Sequence, residues 1–165
     1  MARKPKPYTK TETSLLKAVF HGMSVVHTWL YRATRGRLGS TFPGGAPVLL
    51  LTTTGRKTGL PRTTPLLCLE NGEDFVIVAS QGGMESHPLW YLNLCAHPEV
   101  ETQFRRTIER RVARTAGKEE KALLWPRVVG LYPPYQSYQA RTQRDIPVVV
   151  LSKVANAERS PPPVS

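Results

Sequence analysis

Gly55-Arg56-Lys57-Thr58-Gly59 sets two cations between two glycines, at the end of the apolar and β-branched run Leu49-Leu50-Leu51-Thr52-Thr53-Thr54 and just before Leu60-Pro61-Arg62. Arg and Lys heads gathered with main-chain N–H groups in one small concavity suit an anionic group such as phosphate. The spacing is not that of the familiar phosphate loops. A Walker loop needs Gly, four residues, then Gly-Lys-Ser/Thr opening a helix, whereas Gly59 runs into Leu60-Pro61 and then Pro65. Proline lacks an N–H and clashes with the preceding turn, so no helix passes undisturbed through this stretch. The three-glycine dinucleotide fingerprint is missing as well. The residues predict a hairpin: Val48 to Thr54 as one strand, Gly55 to Pro61 as the turn, Arg62 to Glu70 as the return. Taken alone, such a turn reads as a solvated loop before it reads as a ligand site.

Other chemistry is sparse. His21, His27, His87 and His97 form no His-Glu-x-x-His pair, and the chain has no Gly-x-Ser-x-Gly elbow and no acidic pair in an apolar setting. His87 and His97 each precede a proline and read as helix-boundary residues, so no metal site is expected. Without a nucleophile, a metal or an acid/base pair, any chemistry has to come from a borrowed cofactor.

The elements that would position these groups fit one domain of 165 residues. Cys68 and Cys95 make no Cys-x-x-Cys motif; both read as buried small apolar residues of a reducing cytoplasm. A net charge of +11 favours anionic partners. The densest basic run, Arg105 to Arg114, reads as a hairpin with Phe104, Ile108 and Val112 inside and the arginines on its wet face. Residues 1–13 form a basic, proline-bearing lead. Leu15, Leu16, Val19, Phe20, Met23, Val26 and Leu30 then recur at helical spacing, predicting an amphipathic helix. Lys17 and Arg32 leave an uncharged stretch shorter than the roughly 20 residues of a membrane span. This helix either packs on the domain or lies in a membrane interface.

Short strands dominate after Val48. Asn71-Gly72 signals a two-residue hairpin joining Thr64–Glu70 to Phe75–Ser80, and Gln81-Gly82-Gly83 breaks the chain. Pro88 to Cys95 reads as a short helix with Leu89, Leu92 and Ala96 on one side, stopped by Pro98. The hairpin from Val100 to Ala113 follows, then a helix from Lys118 to Val129 interrupted near Pro126, and a last strand over Ile146 to Leu151. The expected fold class is α+β: a small closed barrel of about six mainly antiparallel strands with short helices, spanning 14–152 with the N-terminal helix, before a loose tail at 153–165.

Four blocks in order, Leu50 to Arg62, Val76-Ile77-Val78-Ala79-Ser80-Gln81-Gly82-Gly83, His87-Pro88-Leu89-Trp90-Tyr91-Leu92-Asn93-Leu94 and Leu131-Tyr132-Pro133-Pro134-Tyr135-Gln136-Ser137-Tyr138, resemble the deazaflavin-dependent nitroreductase family of actinobacteria. The resemblance runs from about Leu15 to Leu151. It implies a split β-barrel that binds the 8-hydroxy-5-deazaflavin coenzyme F420, with its phosphodiester and oligoglutamate tail, and passes a hydride from the reduced form to an organic acceptor. On this resemblance Arg56 and Lys57, with N–H groups around Thr58 and Gly59, would hold the phosphate, and Arg62 a further anionic oxygen. Pro65, Leu66, Val78, Ala79 and Ser80 match positions bordering the deazaflavin ring, Gln81 follows them, and Trp90, Tyr91 and Asn93 match the helix that closes over the cofactor. Tyr132, Tyr135 and Tyr138, with Ser80, match residues that line the acceptor site and bond the oxygen gaining charge.

Two departures bear on the acceptor and the tail. Leu67 stands where nitroimidazole-activating members have a tyrosine, and Gln81 stands where some relatives have a lysine. The expected acceptor is therefore a menaquinone-like quinone, ahead of nitroaromatic or enone compounds. A membrane-borne quinone would give the helix at 14–32 a purpose at the cytoplasmic membrane face. Two other readings stay open: an FMN-binding barrel, and a non-enzymatic basic module for nucleic acid or anionic lipid. No nucleic-acid partner is expected, since no reading motif accompanies the charge.

Overall fold

Strands form where apolar and polar residues alternate, and here the alternation closes a barrel. The computed structural model describes residues 9, 28, 31, 34, 39–42 and 44–154. The expected basic lead, most of the amphipathic helix and the tail beyond Val154 lie outside the described residues. Six strands, β1 (Val48–Thr54), β2 (Pro61–Asn71), β3 (Asp74–Val78), β4 (Glu99–Phe104), β5 (Thr107–Thr115) and β6 (Val148–Lys153), close in the order β1-β2-β3-β6-β5-β4. Every pairing is antiparallel. This is the six-stranded α+β barrel that the sequence predicts; every strand has a neighbour on each side, although Pro61–Leu67 of β2 pair with β1 alone and only Cys68–Asn71 pair with β3. Helices α1 (Leu89–Ala96), α2 (Lys118–Leu131) and α3 (Pro134–Arg141) interrupt the strand order.

Side chains alternate between two apolar layers. Leu49, Leu51, Cys68, Phe75, Ile77, Ala79, Val149 and Leu151 fill the barrel with Trp90 and Leu94 of α1. Val76, Val78, Val148 and Val150 point outward and are covered by Leu124, Val128 and Tyr135 of α2 and α3, with Leu67 at the margin. Tyr31, fully buried, packs on Val48 and Leu50. Its hydroxyl donates to the Val48 carbonyl (3.1 Å) and accepts from the Arg105 N–H (2.7 Å), fastening the helical residue to β1 and to the β4–β5 turn.

Several expectations change. The first hairpin matches its predicted limits, but the β2–β3 turn is Gly72-Glu73, with Asn71 paired to Asp74 and Gly72 at φ 65°. α2 runs unbroken through Pro126. Ala122, whose carbonyl the missing N–H would have bonded, is exposed along with Pro126, so water takes that acceptor. Of the hairpin residues expected inside, Phe104 packs on the barrel interior, 4.8 Å from the Phe75 ring, but β5 has the opposite facing: Ile108 and Val112 are exposed at 59 % and 40 %, and Arg111 is buried at 2 %. Cys95 is exposed; only Cys68 is buried, and both are free thiols. No helix among the described residues is long and apolar enough to cross a membrane.

Candidate active site

The basic turn is rigid. The N–H of Gly55 donates to the Leu60 carbonyl (2.8 Å), those of Thr58 and Gly59 donate to the Gly55 carbonyl (3.2 and 2.7 Å), and that of Leu60 reaches Thr58 Oγ1 (3.4 Å). The N–H groups expected to grip phosphate at Thr58 and Gly59 are therefore engaged within the turn. What the turn offers outward is cationic: Arg56, Lys57 and Arg62 are exposed and make no ion pair among the described residues.

Asn93 holds this turn to α1. Its Oδ1 accepts from the Arg56 N–H (3.2 Å) and from Arg56 Nη1 (3.4 Å), while its Nδ2 donates to Thr53 Oγ1 (3.3 Å). Both ends of this buried carboxamide are thus bonded to the β1–β2 hairpin. Arg62 pairs with Thr53 across the hairpin and so lies on the same face as these groups.

From the turn, the outer face of β2 runs through Pro61, Thr63, Pro65 and Leu67, alternate residues of one strand. Pro61 and Leu67 are about 20 Å apart at the usual strand rise. Leu67 shares an outer apolar layer with Val78, Tyr132, Tyr135 and Tyr138. Leu66, Ala79 and Trp90 instead belong to the barrel interior, so they border this face through their backbone or from beneath. Tyr91 is half-buried beside them, its hydroxyl 3.1 Å from Thr115 Oγ1 and its ring 5.0 Å from that of His87.

The three tyrosines form one aromatic cluster. Tyr132 and Tyr135 meet edge to face with centroids 5.0 Å apart, and Tyr138 lies 6.3 Å from both. The Tyr132 and Tyr138 hydroxyls are 3.3 Å apart, so one donates to the other and the pair is held together. Burial first, then the neighbouring Tyr132 and Tyr138, push the Tyr135 pKa well above the ordinary phenol range, so its hydroxyl stays protonated. Phe42, on the loop before β1, packs edge-on against Tyr132 at 5.8 Å.

Ser80 and Gln81 join the strands to the tyrosine helix. After β3 the chain turns through Gln81–Gly83, and Gly83 sits at φ 80° where a Cβ would lie 2.8 Å from the Tyr138 carbonyl. Only glycine lets α3 approach this closely. The Gln81 carboxamide faces the carbonyls of Ser86 and His87.

Sequence reasoning missed Arg144, which lies between α3 and β6. Its Nη2 donates to the Ala79 and Ser80 carbonyls (3.0 and 2.8 Å), its Nε to the Met84 carbonyl (2.7 Å), and its Nη1 to His87 Nδ1 (3.2 Å). Accepting that bond requires a bare Nδ1, so His87 is neutral, in agreement with a pKa lowered by burial and then by Arg144. No motif announces an arginine that bonds main-chain carbonyls. Among the described residues no cluster of His, Cys, Asp and Glu is placed to hold a metal.

The donor set fits a long ligand with a flat apolar end and a polyanionic end: aromatic rings and hydroxyls at Leu67 and the tyrosines, free cations at Arg56, Lys57 and Arg62. A family model described as F420H(2)-dependent quinone reductase matches residues 23–153. An F420H(2)-dependent quinone reductase of Mycobacterium tuberculosis strain H37Rv is 43 % identical over 134 residues, covering 78 % of this chain and 88 % of that protein. A solved F420-H2 dependent reductase (FDR-A) superimposes with a TM-score of 0.61 at 41 % identity, over 64 % of this chain and 94 % of the other. Another solved chain, described as a domain-swapped dimer, gives a TM-score of 0.63 at 36 % identity, over 77 % of this chain and 96 % of its own. With the barrel, the cationic turn and four-fifths of its length in accord, the chain belongs to the F420H(2)-dependent quinone reductase family.

Proposed function

We propose that this chain reduces a quinone with reduced coenzyme F420 bound along the outer face of β2. The observation that carries this reading is the continuity of that face, from an uncompensated cationic turn at one end to a hydroxyl-bearing aromatic cluster at the other. When bound, the reduced deazaflavin supplies a hydride. Arg56 and Lys57 of the turn hold the phosphodiester and tail carboxylates by charge-assisted hydrogen bonds, with Arg62, on the Thr53 side of β2, adding charge at the strand's exposed end. Pro65, Leu67 and Val78 form the apolar wall beside the ring, and the surrounding layer of tyrosines excludes water. The hydroxyls of the tyrosine cluster lie at this end of the site, on the side of the acceptor oxygen where negative charge develops. Leu67 offers that oxygen no hydrogen bond, which favours an apolar quinone over a polar nitroimidazole.

Contact with a membrane is part of the proposal. Tyr31 itself is fastened to β1 at the Leu67 end of the β1–β2 hairpin, since Val48 and Leu67 are paired. A helix lying in an anionic interface would then bring lipid to the acceptor end of the site. The full chain is expected to float with vesicles containing anionic lipid and not with neutral ones; equal recovery from both removes this part of the reading.

The function is tested by titrating the protein with coenzyme F420 and, in parallel, with FMN, following tryptophan fluorescence. Saturable quenching is expected with F420 alone, with an affinity about 30-fold weaker in the Arg56→Ala/Lys57→Ala variant because two charge-assisted contacts are lost. Menadione reduction should follow the same dependence. Quenching by FMN and not by F420 would sink the assignment.

A further inference from the structure

Arg144 does more than fill a gap between α3 and β6. In a trans peptide the C=O and N–H point in opposite directions. One guanidinium nitrogen of Arg144 draws in the carbonyls of both Ala79 and Ser80, so the N–H groups of Ser80 and Gln81 are turned together to the other side. Ser80 is right-handed (φ −74°, ψ −38°) and Gln81 has φ 45°, the alternation that gathers successive N–H groups into an anion-binding concavity. The N–H groups of Gly83 and Met84 are bonded back into the turn, whereas those of Ser80, Gln81 and Gly82 have no partner among the described residues. A glutamine at φ 45° is strained, and the Arg144 bonds on either side of it, to Ser80 and Met84, hold it there. Arg144 makes no ion pair among the described residues, so its charge stays behind these peptides and polarises them.

We propose that Arg144 is a positioning residue for an oxyanion site made by the main-chain N–H groups of Ser80 and Gln81. The site takes a negatively charged oxygen of the bound redox pair, supplied by the deazaflavin or by the acceptor. This rests on the reductase reading above, and it adds a role for a residue that touches neither ligand.

The test compares wild type with Arg144→Met, which keeps length without charge, and Arg144→Lys, which keeps charge and can make fewer of the bonds. Lys121→Met serves as a control, because Lys121 anchors the same loop through Asp145 and the Ile146 carbonyl. Two constants are measured: F420 affinity without acceptor, by fluorescence, and the KM for menadione at saturating cofactor. Arg144→Met should weaken one of them about tenfold, with partial recovery in Arg144→Lys and no change in Lys121→Met. Loss of cofactor affinity assigns the oxygen to the deazaflavin; a raised menadione KM alone assigns it to the acceptor. In the ligand-free protein, nuclear magnetic resonance should show displaced amide signals for Ser80 and Gln81 and a higher His87 pKa in Arg144→Met. If Arg144→Met does not fold, the Arg144→Lys amide signals and constants decide alone. A folded variant with displaced amides and both constants unchanged overturns the proposal, as does an equal loss in Lys121→Met. A wild-type protein that binds no F420 fails the reductase reading itself, before any variant is compared.

Discussion

Arg111 shows how one residue can reverse an expectation drawn from polarity. Buried inside the barrel mouth, its Nη1 donates to the carbonyls of Glu73 (2.7 Å) and Leu151 (3.0 Å), its Nη2 to Glu109 (2.6 Å), and its guanidinium lies 4.4 Å from the Phe75 ring centre. Only Nε lacks a partner among the described residues. Burial resists ionisation of Glu109, but the bonds from Arg111 and Lys153 outweigh it and hold its carboxyl below the usual range. Arg111→Met would take this donor from the buried Leu151 carbonyl and from the part-buried Glu73 carbonyl, while Glu109 keeps Lys153 and some water. The expected loss is about 3 kcal/mol, the lower part of the range for breaking a buried pair, read as a lower denaturant midpoint at unchanged slope. A loss below about 1 kcal/mol, the worth of an exposed pair, would show that the guanidinium is not buried as described. The two cysteines differ for a related reason. Desolvation, then Glu70, pushes the Cys68 thiol up to about 12 and leaves it inert, while Cys95, in the last turn of α1, faces outward.

At the scale of elements, the sequence was most readable where geometry is local. The basic hairpin, the existence of six strands and the short helix after Pro88 follow from alternation, glycines and prolines at known offsets. Facing was harder. A one-residue change of register moves every side chain of a strand to the other face, and in β5 the apolar pair Ile108 and Val112 suggested the wrong one. The tight Arg105-Arg106 turn, with Arg105 at φ 55°, fixes Phe104 opposite Thr107 and thereby puts Glu109, Arg111 and Ala113 inside. In α1 nearly every residue is apolar, and the face of Leu89, Leu92 and Ala96 is not the packed one: Leu89 and Ala96 are exposed while Trp90, Asn93 and Leu94 are buried, an orientation set by Asn93 reaching Thr53 and Arg56, a tertiary bond. The same limit hid Arg144. The motif blocks contained Ser80, Gln81 and the tyrosines, but the arginine that bonds the Ser80 and Ala79 carbonyls lies over 60 residues away in sequence.

The charge of the whole molecule becomes specific once its ion pairs are placed. Of the net +11, Arg114 is matched by Glu120, Lys121 by Asp145, and Arg111 and Lys153 by Glu109. These carboxylates lie on β5, α2 and the loop before β6, so none of them pairs with Arg56, Lys57 or Arg62, and the nearest acid on the neighbouring strand is Glu101, opposite Thr52. A polyanionic cofactor approaching such a surface is drawn in over distances comparable to the Debye length, about 10 Å at 0.1 M salt and about 3 Å at 1 M. Association should therefore be steered, and raising salt from low to near-molar concentration should slow F420 binding by about tenfold or more while dissociation changes less. Stopped-flow fluorescence measures both rates. The Arg56→Ala/Lys57→Ala variant should bind more slowly at low salt and show a shallower salt dependence, because part of the local field has been removed. A wild-type association rate independent of salt would mean that the cations act only after contact, by hydrogen bonding, and that the excess charge of this protein serves some other surface.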